Sequence, residues 1–401
     1  MSSSPDTCES ELSSPHAVAL HIIKRLRERS SEQHRPRSTY RWQFHGESTF
    51  YDAAATVPYL KRLGVSHVYA SPYAKSQSGS AHGYNIVDHA QLNPELGGPD
   101  GFSVFASTLA AHAMGHIVDL VPNHMGVGSD DNSWWQDILE NGPSSSFAIC
   151  FDIDWRPLKP DLDGKVLLPV LGDQFGKVLE NGQLRLAFSD GSFWLQYFER
   201  TFPIAPRSFE LILSHRLNNL RNDLGAAHGG LLEFESILTA IGHLPGRDET
   251  DVRKLIERHR EKEVIKRRLA RLCVEEKIIA DFIARNVEIY NGTIGCPESF
   301  DLLDNLLQTQ AYRLSFWRVA ADEINYRRFF DVNELAAVCV ERPEVFDKTH
   351  SLVLQLLNSG QVDGVRIDHA DGLFDPTRLP VGASAAAIHA TLSGDISRNC
   401  G

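Results

Sequence analysis

Apolar and polar positions follow two different spacings along the chain, and the switches between them mark the elements. Thr39–Phe44 (TYRWQF) has the β-branched and aromatic content of a strand. Asp52–Leu63 spaces its apolar residues three and four apart and stops at Gly64, which predicts a helix with a glycine end. Val65–Ala70 (VSHVYA) is strand-like again. Phe102–Ala113 predicts a second helix, followed by Gly115 and the apolar run Ile117–Val121. Late in the chain, Arg342–Asn358 predicts a helix, Gly360 ends it, and Val362–Ile367 (VDGVRI) predicts a strand. Strand–helix–strand alternation of this kind predicts a parallel α/β sheet, open or closed into a barrel.

The alternation is interrupted, so the chain divides into five stretches. Residues 1–37 read as an extension rich in Ser, Pro and charge, with one amphipathic stretch near Ala17–Leu26. Residues 38–144 carry the first alternation and 311–376 the second. Between them, 145–310 reads as an insertion: a loop-rich part (Phe151–Pro206), then strongly charged helices. Across Asp251–Ile283 the apolar residues Leu255, Ile256, Val264, Ile265, Leu269, Leu272, Ile278, Ile279 and Phe282 recur at spacings of three and four, one stripe on a charged background. Packing of that stripe on the chain's own body is expected over a coiled-coil surface. Residues 377–401 are Ala/Ser/Gly-rich with no strand–helix rhythm, and no internal repeat is visible.

Composition narrows the partners. The 401 residues are 42% hydrophobic and 23% charged, enough for a sizeable core. A net charge of -12 weighs against nucleic acid and against an anionic membrane surface. No apolar run is long enough to cross a bilayer, and the polar start lacks the layout of a signal peptide. Six cysteines (Cys8, Cys150, Cys273, Cys296, Cys339, Cys400) form no C-x-x-C pair, so no metal site is expected. Scattered thiols of this kind fit a reducing, cytoplasmic location.

Three polar clusters fall at expected strand ends, where parallel α/β architectures bind ligands. DLVPNH (Asp119–His124) places Asn123 and His124 just past an apolar run; the plain alternative is an Asn turn and a solvated histidine. GVRIDH (Gly364–His369) puts Arg366 and Asp368 on one side of a strand by alternation. A cation beside a carboxyl favours its ionised form, which suits a nucleophile; a buried pair that only ties strands together is the plain alternative. SAHGYNIVD (Ser80–Asp88) offers ring faces and polar edges of the kind that bind sugars, or an ordinary surface loop.

Taken together and in this order, these segments resemble the α-amylase superfamily of glycoside hydrolases and transferases. Asp119–His124 matches the first conserved segment of that superfamily and Gly364–His369 the second. Further stretches resemble its maltooligosyltrehalose synthase family: STYRWQFH (Ser38–His45), SHVYASPY (Ser66–Tyr73), HGYNIVDH (His82–His89), LNPELGG (Leu92–Gly98), WWQDILENGPSS (Trp134–Ser145), and above all WRVAADEINYRRFFDVNELA (Trp317–Ala336). The resemblance implies an α/β fold, a (β/α)8 TIM barrel of α-amylase type with a large, mainly helical insertion after the third strand. It implies a retaining double displacement on malto-oligosaccharides or other α-1,4-glucans that converts the reducing-end α-1,4 linkage into an α,α-1,1 linkage. By the same resemblance Asp368 is the nucleophile, and Arg366 holds it ionised. Asn123 and His124 line the subsite, Tyr84 and Asp88 shape its floor with Tyr84 as a stacking plate, and His369 follows the nucleophile. No cofactor is implied.

The match stops near Pro376. No counterpart of the family's acid/base Glu, or of its later Asp, follows Asp368. The expectation is therefore about the first four β/α units of a barrel, inactive or nearly so on their own and poorly soluble. Two further readings stay open, an α-amylase-type hydrolase and a non-catalytic glucan-binding fragment. Asp322 and Glu323 are weak candidates to replace the missing acid.

Overall fold

The computed structural model describes residues 36–376. The stretch near Ala17–Leu26 and the tail 377–401 lie outside the described residues.

The first part of the chain runs β1 (Thr39–Trp42), α1 (Phe50–Leu63), β2 (His67–Ala70), β3 (Ala74–Ser76), β4 (Ile86–Leu92), α2 (Gly98–Ala111), β5 (Gly115–Leu120), β6 (His124–Gly126) and α3 (Ser133–Asn141). Local chemistry sets the limits of α1. Asp52 Oδ2 accepts from Thr49 N at 2.8 Å and from Thr49 Oγ1 at 2.7 Å, closing the helix start. Gly64 ends it at φ 92, a left-handed conformation that glycine adopts without a Cβ penalty. The insertion holds β7 (Val166–Leu171), β8 (Leu184–Ser189), β9 (Ser192–Tyr197), β10 (Arg200–Pro203), α4 (Gly229–His243), α5 (Val252–Glu275), α6 (Lys277–Tyr290), α7 (Asp301–Gln308) and β11 (Tyr312–Phe316). The chain returns through β12 (Arg328–Phe329), β13 (Val332–Ala337), α8 (Pro343–Asn358) and β14 (Gly364–Ile367).

β1, β2, β5 and β14 form one sheet in that order, and every neighbouring pair is parallel. Arg41 pairs with Tyr69, Tyr69 with Ile117, Gly364 with Ile117, and Arg366 with Asp119. Alternation therefore puts Arg41, Tyr69, Ile117, Asp119 and Arg366 on one face. The other face carries Val68, Ala70, Val118, Leu120 and Val365, which pack against Phe50 and Leu60 of α1, Phe105 and Leu109 of α2, and Val353 and Leu356 of α8. The crossover helices cover one side of the sheet and leave polar groups on the other.

One expectation about the insertion needs correction. Phe151–Pro206 is not loop-rich: it contains β7 to β10, and β8, β9 and β10 form an antiparallel sheet. The signal was present as two alternating runs on either side of Asp190-Gly191, which take φ 50 and 73, a two-residue hairpin turn. The apolar stripe on the charged background runs over two helices, α5 and α6, which meet at Glu276. Ile265, Leu269, Leu272, Ile279, Phe282 and Ile283 enter the main apolar core, whereas Ile256 and Ile278 remain exposed. A buried ionic cluster fastens the insertion to the loop after the third parallel strand. Lys262 of α5 reaches Asp137 at 3.1 Å and Glu140 at 2.6 Å, both on α3, and Lys266 also pairs with Glu140.

Candidate active site

The polar face of the parallel sheet converges on Asp119. Its side chain is fully buried, and it accepts three hydrogen bonds. Tyr69 and Tyr84 each donate a hydroxyl to Oδ2 at 2.6 Å, and Arg366 Nη1 donates to Oδ1 at 2.9 Å. Each donor comes from a different part of the chain: Tyr69 from β2, Tyr84 from the loop between β3 and β4, Arg366 from β14. A carboxylate out of water needs such partners, and charge-assisted bonds of this kind are the strong ones.

Arg366 links this cluster to Asp368. The same Nη1 lies 2.5 Å from Asp368 Oδ1, one residue beyond the end of β14. The guanidinium is pushed above its ordinary value, chiefly by the bond to Asp119 and also by that to Asp368, which together outweigh the opposing effect of burial. On the other edge of the sheet, Arg41 donates to the Tyr84 hydroxyl at 3.0 Å and lies over the Tyr69 ring. Burial and the bond to Asp119 both raise Tyr69 and Tyr84 above the usual phenol range, so both hydroxyls keep their protons and act as donors.

A second group surrounds Asn123 and His124. Arg327 Nη1 donates to Asn123 Oδ1 at 3.2 Å and to the Gly372 carbonyl at 2.8 Å, while its Nε pairs with Asp152 at 2.8 Å. One side chain thus joins the loop after β5, the segment before β12 and the turn after β14. His124 is buried, and burial pushes its imidazole down to about 4, so it is neutral near pH 7. Its Nε2 has no hydrogen-bond partner among the described residues. Its ring lies 4.4 Å from that of Phe329, and Phe329 in turn lies 4.7 Å from His369. His369 takes φ 48, uncommon for a residue with a Cβ, as the chain turns after the strand. A side chain at Gly372 would run into the His369 ring and come within 3.1 Å of Asn123 Oδ1, so the turn depends on glycine there.

Of the residues singled out from sequence, Tyr84, Arg366 and Asp368 share the Asp119 network, and Asn123, His124 and His369 share the Arg327–Phe329 group. Asp88 joins neither. It sits in β4 and accepts from Ala90 N at 2.8 Å. Tyr84 is fixed through its hydroxyl. Glu323 pairs with Lys159 and is not part of the Asp368 network. Sequence reading missed Tyr69, Arg41, Arg327 and Phe329, and gave Asp119 no role. The available signal was alternation within DLVPNH and GVRIDH, but the pairing of those strands across more than two hundred residues carries no local mark. Among the described residues no group of three or more His, Cys, Asp or Glu could hold a metal ion, and no helix is long and apolar enough to cross a membrane.

The parallel strands whose ends carry this Asp–Arg–Asp relay belong to an α/β, TIM-barrel-like fold. Residues 52–185 match the family described as the α-amylase catalytic domain. Among proteins of that fold, the chain is similar to maltooligosyltrehalose synthases. It is 32% identical over 346 residues to a Mycobacterium tuberculosis protein bearing the name maltooligosyl trehalose synthase, covering 85% of this chain and 32% of that protein. The structure of maltooligosyltrehalose synthase from Arthrobacter ramosus superposes with a TM-score of 0.59 at 33% identity, over 88% of this chain and 33% of that one. An intracellular maltogenic amylase of Bacillus subtilis is 33% identical over 103 residues, 26% of this chain and 17% of that protein. The chain spans about a third of the length of the trehalose synthase relatives, 32% of the curated protein and 33% of the solved structure.

Proposed function

We propose that this chain carries the nucleophile-bearing part of a retaining α-1,4-glucan transglucosylase that forms maltooligosyltrehalose. The observation that carries the reading is Arg366 held between buried Asp119 and Asp368. Asp368 Oδ attacks the anomeric carbon at the last α-1,4 linkage of a malto-oligosaccharide, and the glycosyl–oxygen bond to the terminal glucose breaks. The freed glucose stays bound and returns through its own anomeric hydroxyl, which gives the α,α-1,1 linkage and removes the reducing end. Arg366 orients Asp368 and offsets its charge. Tyr84, Asn123, His124 and His369 border the glucosyl unit, with the neutral His124 free to exchange hydrogen bonds with sugar hydroxyls.

The first displacement needs a proton for the leaving oxygen, from a second carboxyl roughly 5–5.5 Å from the nucleophile. Asp119 does not suit that role, because it accepts from Arg366 and from both tyrosines and has no water-facing side. The 401-residue chain alone is accordingly expected to bind α-1,4-glucan without turning it over. Loss of a general acid costs on the order of 10²–10⁴ in rate.

A substrate whose leaving group needs no proton separates these points. With α-maltosyl fluoride, the carbon–fluorine bond breaks, an ester forms at Asp368, and fluoride leaves as the anion. Fluoride release with a covalent adduct on Asp368, absent in Asp368→Asn, is the expected result; no adduct in the unaltered chain overturns the assignment. With maltoheptaose, reducing ends should stay constant. Their loss without shortening of the chains would show that a proton donor is present after all. A gain of reducing ends would favour α-amylase-type hydrolysis instead.

A further inference from the structure

A cavity of about 610 Å³ opens in the insertion beside β11. That volume is within the range of small-molecule sites, about 300–1,000 Å³. None of the residues in the Asp119, Asp368 or Arg327 networks lines it.

Its chemistry is specific. Phe175 and Phe316 put partly exposed rings into the wall. Trp317 follows directly, 52% exposed, with its ring 5.9 Å from Phe316 and the Arg318 guanidinium over both. An exposed tryptophan beside a second aromatic ring is an amphipathic surface that water solvates poorly. Tyr312 and Ser315 also line the cavity, both buried, and both hydroxyls lack a hydrogen-bond partner among the described residues. Buried hydroxyls left unpaired are costly, which favours a ligand that brings hydrogen-bonding groups of its own.

Charge argues against an anion. Arg313 faces Asp161 at 3.4 Å, Lys165 donates to the Gln308 carbonyl at 2.8 Å, and Glu323 is paired with Lys159. The two cations of the lining, Arg313 and Lys165, each already have an oxygen partner, and the carboxyl groups of Asp161, Asp304 and Glu323 in the same wall disfavour an anion. Ring faces, hydroxyls and balanced charge suit a neutral polyhydroxylated chain. From the cavity the backbone continues through Asn325, which bonds Leu167, Asp154 and Lys165, to Arg327 at the Asn123 site.

We propose that this cavity is a second carbohydrate-binding site, which takes neutral α-1,4-glucan with sugar rings against Phe316 and Trp317. The choice of glucan rests on the functional reading above; the site itself rests on the cavity. It gives the chain a hold on its substrate that is separate from Asp368 and leaves the reacting end free.

Hydrogen exchange of the unaltered 401-residue chain with and without maltoheptaose tests it. Slower exchange is expected in 161–175 and 312–319, and it should persist in Asp368→Asn. Phe316→Ala should weaken maltoheptaose binding about tenfold and abolish that protection, while fluoride release from α-maltosyl fluoride continues. Tyr312→Phe and Ser315→Ala, milder changes that keep the wall in place, should each weaken binding several-fold. The proposal is overturned if protection appears only around residues 119–124 and 366–372, if Phe316→Ala binds as before, or if inorganic phosphate protects 312–319 and maltoheptaose does not. Failure of the functional reading shows differently, as the absence of an adduct on Asp368.

Discussion

Arg366 and Asp119 face each other across adjacent parallel strands, 2.9 Å apart, although 247 residues separate them in the chain. The pair sets the geometry of the site, because Asp119 is fully buried and Arg366 is the group that reaches onward to Asp368. Removing the carboxylate should release Arg366 and leave two tyrosine hydroxyls without an acceptor. Asp119→Ala is therefore expected to cost on the order of 2 kcal/mol, the half-exposed guanidinium regaining water and limiting the loss. Urea unfolding of the two chains measures it. A change below a few tenths of a kcal/mol would mean that the network does not hold the sheet together.

Arg327 ties Asn123 to the turn after the nucleophile strand through Gly372. Its loss should misplace the two loops relative to each other rather than unfold the chain. A shift of about 1 Å in reacting groups can cost on the order of 10²-fold. The expected result for Arg327→Ala is a drop of that order in the rate of adduct formation with α-maltosyl fluoride, with thermal unfolding nearly unchanged. Equal rates would remove Arg327 from the positioning role.

The cluster of Lys262, Lys266 and Glu140 should make stability pH-dependent. Burial pushes Glu140 up, but Lys262 and Lys266 more than reverse this, so it sits below its ordinary value of 4.5. A carboxyl with a lowered folded value contributes stability that is complete above about pH 4.5 and is lost as pH falls through the folded value. Glu140→Gln should flatten the acid side of the stability profile. It should also cost about 3 kcal/mol at pH 7, because Lys262 is left buried with only Asp137 at 3.1 Å and Glu263 at 3.8 Å as ion-pair partners. Chemical unfolding between pH 3 and 7 checks both; an unchanged acid slope would refute the assignment.

The β8–β9 hairpin touches α5 at its tip. Gly191 takes φ 73, and a Cβ there would overlap the Lys266 carbonyl and crowd Ala270 N. Gly191→Ala should cost about 2 kcal/mol, from the left-handed backbone and the displaced helix together. Calorimetric unfolding of this variant beside Gly295→Ala tests it. Gly295 is also left-handed, at φ 89, but has open space around it, so only the backbone penalty should appear there.

Local chemistry was legible in the sequence. Capping at Thr49 and Asp52, the glycine stops at Gly64 and Gly360, and the short apolar runs mark the four parallel strands and their crossover helices to within a few residues. Alternation alone places Arg366 and Asp368 on the same side. The hairpin around Asp190-Gly191 is equally marked by alternation on both sides of the turn, although the aromatic and glycine content of that stretch suggests loops. These features depend on neighbours within one turn or one strand, and a sequence records those directly.

The site network was decided elsewhere. Tyr69, Tyr84 and Arg366 meet at Asp119 only because β2, β5 and β14 adopt one register in the parallel sheet, and a slip of one residue would turn each side chain to the helix-covered face. Asp88 is held locally instead: it lies in β4 and accepts from Ala90 N, two residues on. The sequence by itself determined which residues have suitable chemistry and which elements carry them. The tertiary structure decided which of those residues share a buried, low-dielectric space, since that depends on strand pairing over hundreds of residues.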